Sequence, residues 1–226
     1  MSIKLTTTRE AAKTNGIKVC VYGGAGAGKT TLCGTTDAPT VIISAEAGLL
    51  SLKGHDIPVI EVSSIADVHE AYQFVLESAE AKDFQWVCLD SISEIAEQVL
   101  NFEKKNSKDP RQAYGALSEQ MQDLIRAFRD LPGRNVFMSS KMEKAKDEAT
   151  GSFLYGPSMP GAKLAQALPY FFDECFVLRV EKDAEGNPTR WLQTGADFNH
   201  QAKDRSGVLD MFEPAHLGQI AAKILA

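Results

Sequence analysis

Short, nearly unbroken apolar runs alternate along this chain with longer stretches in which apolar residues recur every third or fourth position. "IKVCVY" (17–22), "PTVIIS" (39–44), "IPVIEV" (57–62), "FQWVCLD" (84–90) and "NVFMSS" (135–140) are of the first kind. They are rich in β-branched and aromatic residues and bounded by turn formers, which predicts strands. Ile65, Val68, Tyr72, Val75 and Ala79 keep a helical spacing, and Ser64 with Asp67 resembles a capping box. Further helices are expected from Gly28, over 94–103, over 117–131 (closed by Pro132-Gly133) and from about Ala215 to the end. "CFVLRVE" and "RWLQTG" flank "EGNP" and predict a hairpin near the C-terminus. Strands apolar on both faces, alternating with helices, imply an α/β fold: a mostly parallel sheet with helices on both faces. Two polar segments, 104–112 ("KKNSKDPRQ") and 141–160, are expected to be loops, and long loops in compact domains are often functional.

The length of 226 residues suits one sizeable domain, expected over 17–226 with 1–16 as an N-terminal extension. A formal charge of −6 argues against a surface that is basic all over, but a local basic groove can still bind phosphates. Cys20, Cys33, Cys88 and Cys175 form no CxxC pair, and two of them sit inside apolar runs, so core positions are expected. His55, His69, His200 and His216 show no zinc-ligand spacing. No apolar run approaches the roughly 18 residues of a membrane helix, so no membrane contact and a cytoplasmic location are expected.

The chemistry is concentrated in "VYGGAGAGKT", where Gly23, Gly28, Lys29 and Thr30 fit G-x-x-x-x-G-K-[ST] between a predicted strand and a helix. The nine residues Gly23, Gly24, Ala25, Gly26, Ala27, Gly28, Lys29, Thr30 and Thr31 form the expected nucleotide cradle. Backbone N–H groups and a positive helix end would face the phosphates of ATP, and Lys29 would neutralise the β- and γ-phosphates. The Thr30 hydroxyl would hold Mg2+. Asp90 ends an apolar run, where its carboxylate can reach that Mg2+ through water; capping the helix that follows is the alternative. Glu46, just beyond a predicted strand, is a candidate for activating water or a solvated loop carboxylate.

Together these residues resemble the RecA-like recombinase ATPases. "VIISAEAGL" is similar to their second-strand segment with its catalytic Glu, and "VCLDSI" to their Walker B strand. "GPSMPGAKL" and "AKDRSG" resemble the compact phage-encoded members associated with single-strand annealing and recombination. The resemblance spans roughly residues 17–226 and implies a RecA-like P-loop core that hydrolyses ATP with Mg2+. It implies that Glu46 activates water and that two segments face single-stranded DNA. The first carries Lys104, Lys105, Lys108 and Arg111; the second carries Lys144, Lys146, Phe153 and Tyr155. Cations would track phosphates and rings would stack on bases; solvated loops with rings folded onto the core are the alternative. Lys203 and Arg205 hold the place where such proteins present cations to a neighbour's ATP, which implies a homo-oligomer; a surface salt bridge is the alternative. The family's γ-phosphate-sensing amide is absent from "MSSK", where Ser140 or Lys141 would substitute. A single-strand-binding protein is a further expected partner, and for a phage protein the compartment would be the host cytoplasm. The same loop also fits a small-molecule kinase or a nucleotide switch, although 141–160 contains no arginine for a kinase lid.

Overall fold

Every residue of β1 (Lys18–Gly23) is buried, as a strand inside a two-sided sheet requires. Lys18 is the polar exception. Its Nζ donates to the Arg134 carbonyl at 2.5 Å, and burial draws its pKa down to about 8. The computed structural model describes residues 5–8, 10, 15–46, 48–146 and 151–226. β1 runs parallel to β5 (Asn135–Lys146) on one side and to β7 (Glu174–Lys182) on the other. Beyond β5 lie β4 (Trp86–Asp90), β2 (Thr40–Ser44) and β3 (Val59–Glu61), all parallel. On the other flank β7 turns back into antiparallel β8 (Pro188–Gln193), which pairs with β10 (Phe212–Pro214). β6 (Phe153–Pro157) pairs with β5, and the short β9 (Lys203–Asp204) pairs with β7. Among the described residues, the main path of the sheet therefore ends in two three-residue strands, β3 and β10.

Strand alternation divides the core between two faces. Cys20, Tyr22, Leu89 and Met138 point to the face covered by α1 (Ile65–Glu77), α2 (Ile92–Asn106), α3 (Pro110–Arg129) and α4 (Ala162–Ala167). Val19, Val21, Cys88 and Phe137 point to the other face, where α5 (Leu217–Leu225) packs Leu217 and Ile220 against them. The expected mostly parallel α/β sheet, covered on both faces and closed by a C-terminal hairpin, is the architecture found. All four cysteines are free and buried.

Local chemistry explains the helix starts, and also where the expected boundaries fail. Ser64 accepts from the Asp67 N–H at 3.2 Å, as the capping box requires. Ser91 does the same for the Glu94 N–H at 3.3 Å, so α2 begins before residue 94 and runs on to Asn106. Asp109 accepts from the Arg111 N–H at 2.8 Å, and Pro110 occupies the first helical turn. α3 thus starts at Pro110, and the loop expected over 104–112 shrinks to residues 107–109. Its charges are those of exposed helix ends. The segment after Gly28 is a 3-10 turn, Thr30–Thr35, rather than a long helix. The expected loop 141–160 is mostly a β-hairpin, because β5 continues past the sheet to Lys146 and returns as β6.

Glu174, at the start of β7, is 1% exposed. The Ser206 N–H donates to its Oε1 at 3.3 Å, while Oε2 is buried without a hydrogen-bond partner. Burial first, and then the neighbouring Asp204 carboxylate, push its carboxyl from 4.5 up to about 8. The folded chain therefore holds this proton through a window in which the unfolded chain releases it. Its contribution to stability is full below pH 4.5 and is lost as pH rises toward about 8. Glu174→Gln should be more stable than the wild type above that window, with the gap closing as pH falls below it. Urea melts across the pH series test this, and parallel pH profiles for the two proteins would refute it.

Candidate nucleotide-binding site

In a parallel sheet the carboxyl ends of the strands share one edge, and side chains carried there converge. Register places Ser44 of β2 beside Asp90 of β4, and Gly23 of β1 beside Lys141 of β5. The loop leaving β1 reverses at Gly26 (φ 73°) and Gly28 (φ 102°), torsions that side-chain-bearing residues rarely adopt. The cleft bordered by this loop, Glu46, Asp90 and Arg190 has a volume of 620 Å³.

Asp90 is 3% exposed, and both of its oxygens are engaged. Thr30 Oγ1 donates to Oδ2 at 2.5 Å, and the Ser139 hydroxyl donates to Oδ1. The peptide bond from Asp90 to Ser91 is cis. Ser91 donates to Glu46 Oε1 at 2.5 Å, and Ser44 donates to the Glu46 carbonyl at 2.6 Å, so two hydroxyls hold Glu46 over the cleft. Lys29 Nζ donates to the Gly23 and Gly24 carbonyls at 3.0 and 3.1 Å. Burial lowers its pKa; the Asp90 and Glu46 carboxylates oppose that shift, and the Lys141 ammonium reinforces it. Lys141 itself is held by Glu94 at 2.9 Å and Glu97 at 2.8 Å. Burial alone would lower the Lys141 pKa, but the two carboxylates carry it above its ordinary value.

These donors suit a magnesium nucleotide. Mg2+ keeps several waters and takes only one or two protein ligands beside phosphate oxygens. Among the described residues no group of three or more His, Cys, Asp or Glu side chains could hold a metal ion. A cation here would rest on the Thr30 hydroxyl and the Asp90 carboxylate and draw its other ligands from phosphate and water. The paired Thr30 and Asp90 oxygens fit that role.

The fold brings together Gly23, Gly24, Ala25, Gly26, Gly28, Lys29, Thr30, Thr31, Glu46 and Asp90 around this cleft. The Ala27 side chain turns into the core, leaving its backbone to the loop. Ser140 is a correction. Strand alternation points it away from the cleft, where it is fully buried against the Ser93 hydroxyl (3.0 Å) and the Ser158 carbonyl (3.2 Å). Ser139 and Lys141, on the alternate face, are the β5 residues that reach the site.

Lys203 and Arg205 do not line this cleft. Lys203 pairs with Cys175, beside Cys20 in the first half of β1, and its Nζ donates to the Pro169 and Phe172 carbonyls at 2.8 and 2.5 Å. Arg205 pairs with Asp173 at 2.7 Å.

Of the expected DNA contacts, Lys104 and Lys105 occupy the last turn of α2 and Arg111 the first turn of α3, with Lys108 between them. Lys104 Nζ stands 5.4 Å from the Tyr114 ring centroid. On the β5–β6 hairpin, Lys144 Nζ is 3.7 Å from the centroid of Phe153 and 5.9 Å from that of Tyr155, with Lys146 exposed at the end of β5. Tyr155 also stacks on His200, centroids 5.2 Å apart. Sequence reasoning missed Arg190, Ser91 and Ser139 as site residues. Arg190 reaches the loop from a strand 163 positions away, and no local pattern marks it.

A cradle-forming loop, an acidic strand end and a parallel sheet with β5 between the two define a nucleotide-binding P-loop ATPase. A family model described as "AAA domain" matches residues 15–206, and the chain belongs to that family. No curated protein matched the sequence. Among the described residues, no helix is long and apolar enough to cross a membrane.

Gly28 generates a direct expectation. A Cβ there would meet Arg190 Nε at 2.7 Å on a backbone already at φ 102°. Gly28→Ala should abolish nucleotide binding, measured by calorimetry, while far-ultraviolet circular dichroism stays that of the wild type. Undiminished binding would show that the loop tolerates a side chain there.

Proposed function

We propose that this chain is a magnesium-dependent ATPase that binds single-stranded DNA and acts in recombination or strand annealing. The observation that carries this reading is continuity along β5. Ser139 bonds Asp90 in the nucleotide cleft, Lys141 lines the same cleft, and the strand continues into the hairpin where Lys144 lies against Phe153 and Tyr155. Cations beside stacking rings suit a sequence-tolerant single strand, each stacked base contributing about 1–3 kcal/mol. Phe153 is 48% exposed, which leaves a ring face available to a base.

In the reaction, Glu46 accepts the proton of the attacking water. Its Oε1 is already engaged by Ser91, which orients the carboxylate and leaves Oε2 for the water. Lys29 would leave the loop carbonyls for the β- and γ-phosphates, and the Thr30 and Asp90 oxygens would hold the metal. Bound Mg2+ supplies charge neutralisation on those phosphates. Lys203 and Arg205 lie outside this chain's own cleft, Lys203 on the Pro169 and Phe172 carbonyls and Arg205 in a salt bridge with Asp173, so a part in catalysis would require their release and a homo-oligomer in which they act in trans.

ATP hydrolysis measured with and without single-stranded DNA, at two protein concentrations, tests the reading. DNA should raise the rate, and specific activity should rise with protein concentration. Glu46→Gln should lower turnover by about 10²–10⁴-fold while nucleotide still binds, and Lys29→Ala should remove nucleotide-dependent behaviour with the fold intact. A rate indifferent to DNA, together with no salt-sensitive DNA binding, would sink the proposal. Phosphate transfer to a small metabolite would replace it with a kinase.

DNA affinity of the hairpin gives a separate check. Phe153→Ala should weaken binding of single-stranded oligonucleotides by about 1–3 kcal/mol, and Lys144→Ala should lower the salt slope of that binding. Fluorescence anisotropy over a salt series reads both. Two variants with wild-type affinity and slope would place the DNA elsewhere.

A further inference from the structure

Arg190 crosses from β8 to the phosphate loop. Its Nε donates to the Ala27 carbonyl at 2.8 Å. Its guanidinium covers Gly28 so closely that a Cβ on that residue would stand 2.7 Å from Nε and 3.6 Å from Cζ. Arg190 borders the same cleft as Lys29, Thr30 and Asp90.

The cations around this cleft differ in what they are bound to. Lys141 is held by two carboxylates, Glu94 and Glu97. Lys29 rests on two loop carbonyls. Arg190 makes no ion pair among the described residues, and its hydrogen bond there uses Nε alone, so the four N–H groups of its two Nη atoms are uncommitted. A guanidinium anchored at Nε has already lost part of its rotational freedom, so its fork is pre-organised for an anion.

We propose that Arg190 is a nucleotide-contacting residue, a cation supplied in cis from β8 that grips the α- and β-phosphates through its Nη atoms. This rests on the ATPase reading above and deepens it. The α/β assignment follows from position. Backbone N–H groups of such a loop cradle the α- and β-phosphates while its lysine reaches the β- and γ-phosphates. Arg190 is anchored on the loop backbone at Ala27 and Gly28, not beside the carboxylates where hydrolysis takes place. A planar fork is also the geometry that meets two phosphate oxygens at once. Because the α- and β-phosphates are common to both nucleotides, Arg190 serves ATP and ADP alike and governs affinity rather than the chemical step.

The test compares Arg190→Ala, Arg190→Gln and Arg190→Lys in the full chain by titration calorimetry. The probes are Mg·ADP and a slowly hydrolysed Mg·ATP analogue, each at two salt concentrations. Gln keeps a donor for the Ala27 carbonyl but loses the charge, and thermal melts without nucleotide check that each variant is folded. Arg190→Ala and Arg190→Gln should weaken both nucleotides by about tenfold or more, equally for the two, with Arg190→Lys falling between them and the wild type. The Gln variant should also show a shallower salt dependence of Kd. Unchanged Kd values would overturn the proposal, as would weakened binding that keeps the wild-type salt dependence, which marks a purely structural brace. A wild type that binds neither nucleotide would overturn the ATPase reading as well, so the two failures are told apart.

Discussion

A buried carboxylate cannot stay charged without donors, and Asp90 finds its two in different parts of the chain. Thr30 comes from the turn after β1 and Ser139 from β5. Leaving such a group unpaired costs several kcal/mol, so the three elements are held in one relation to each other. The sheet order makes this possible: with β5 between β1 and β4, the carboxylate at the end of β4 has one donor beside it and another across the adjoining strand. Glu46 is fixed by the same logic one strand further out, through Ser91 and Ser44. The cleft therefore inherits its geometry from hydroxyl-to-carboxylate bonds rather than from the flexible loop alone.

The same arrangement joins two kinds of surface. β5 is buried over residues 136–140, between β1 and β4, and ends exposed in the hairpin, so one uninterrupted strand spans the cleft and the hairpin. α2 provides a parallel connection. Its first turns hold Lys141 through Glu94 and Glu97, and its last turn carries Lys104 and Lys105. Two rigid elements thus run from the nucleotide cleft to the two basic segments, and neither is interrupted by a glycine. Tyr22 of β1 adds a tie between the hairpin and the C-terminal part of the chain: its hydroxyl lies 3.0 Å from the Tyr155 carbonyl of β6 and 2.6 Å from that of Gln201.

What could be read from the sequence was whatever is encoded locally. β1, β2 and β4 announce themselves as continuous apolar runs, and the phosphate loop, Asp90 and Glu46 follow from strand ends and spacing. In residues 104–112 a polar composition suggests a loop, but Asp109 and Pro110 are equally good signals for a helix start, and they prevail. The 141–160 segment misled because a hairpin that leaves its sheet has lost the buried face that makes strands recognisable. Ser140 and Ser139 cannot be told apart by composition, since only the phase of the strand decides which one meets Asp90. Arg190 lay beyond reach altogether, because its partner Ala27 is brought near only by the pairing of β7 with β1.

The brevity of the two border strands limits how copies of this molecule can join. β3 and β10 each offer three residues of open backbone, and the last position of β10 is Pro214, which has no N–H to give. Lengthening the sheet across molecules by backbone pairing would therefore yield few bonds at either border. Subunits that met at these two borders would have to join through side-chain surfaces, so the strength of such a contact would respond to ionic conditions and to single surface substitutions, as a stack of keyed blocks does and a continuous ribbon does not.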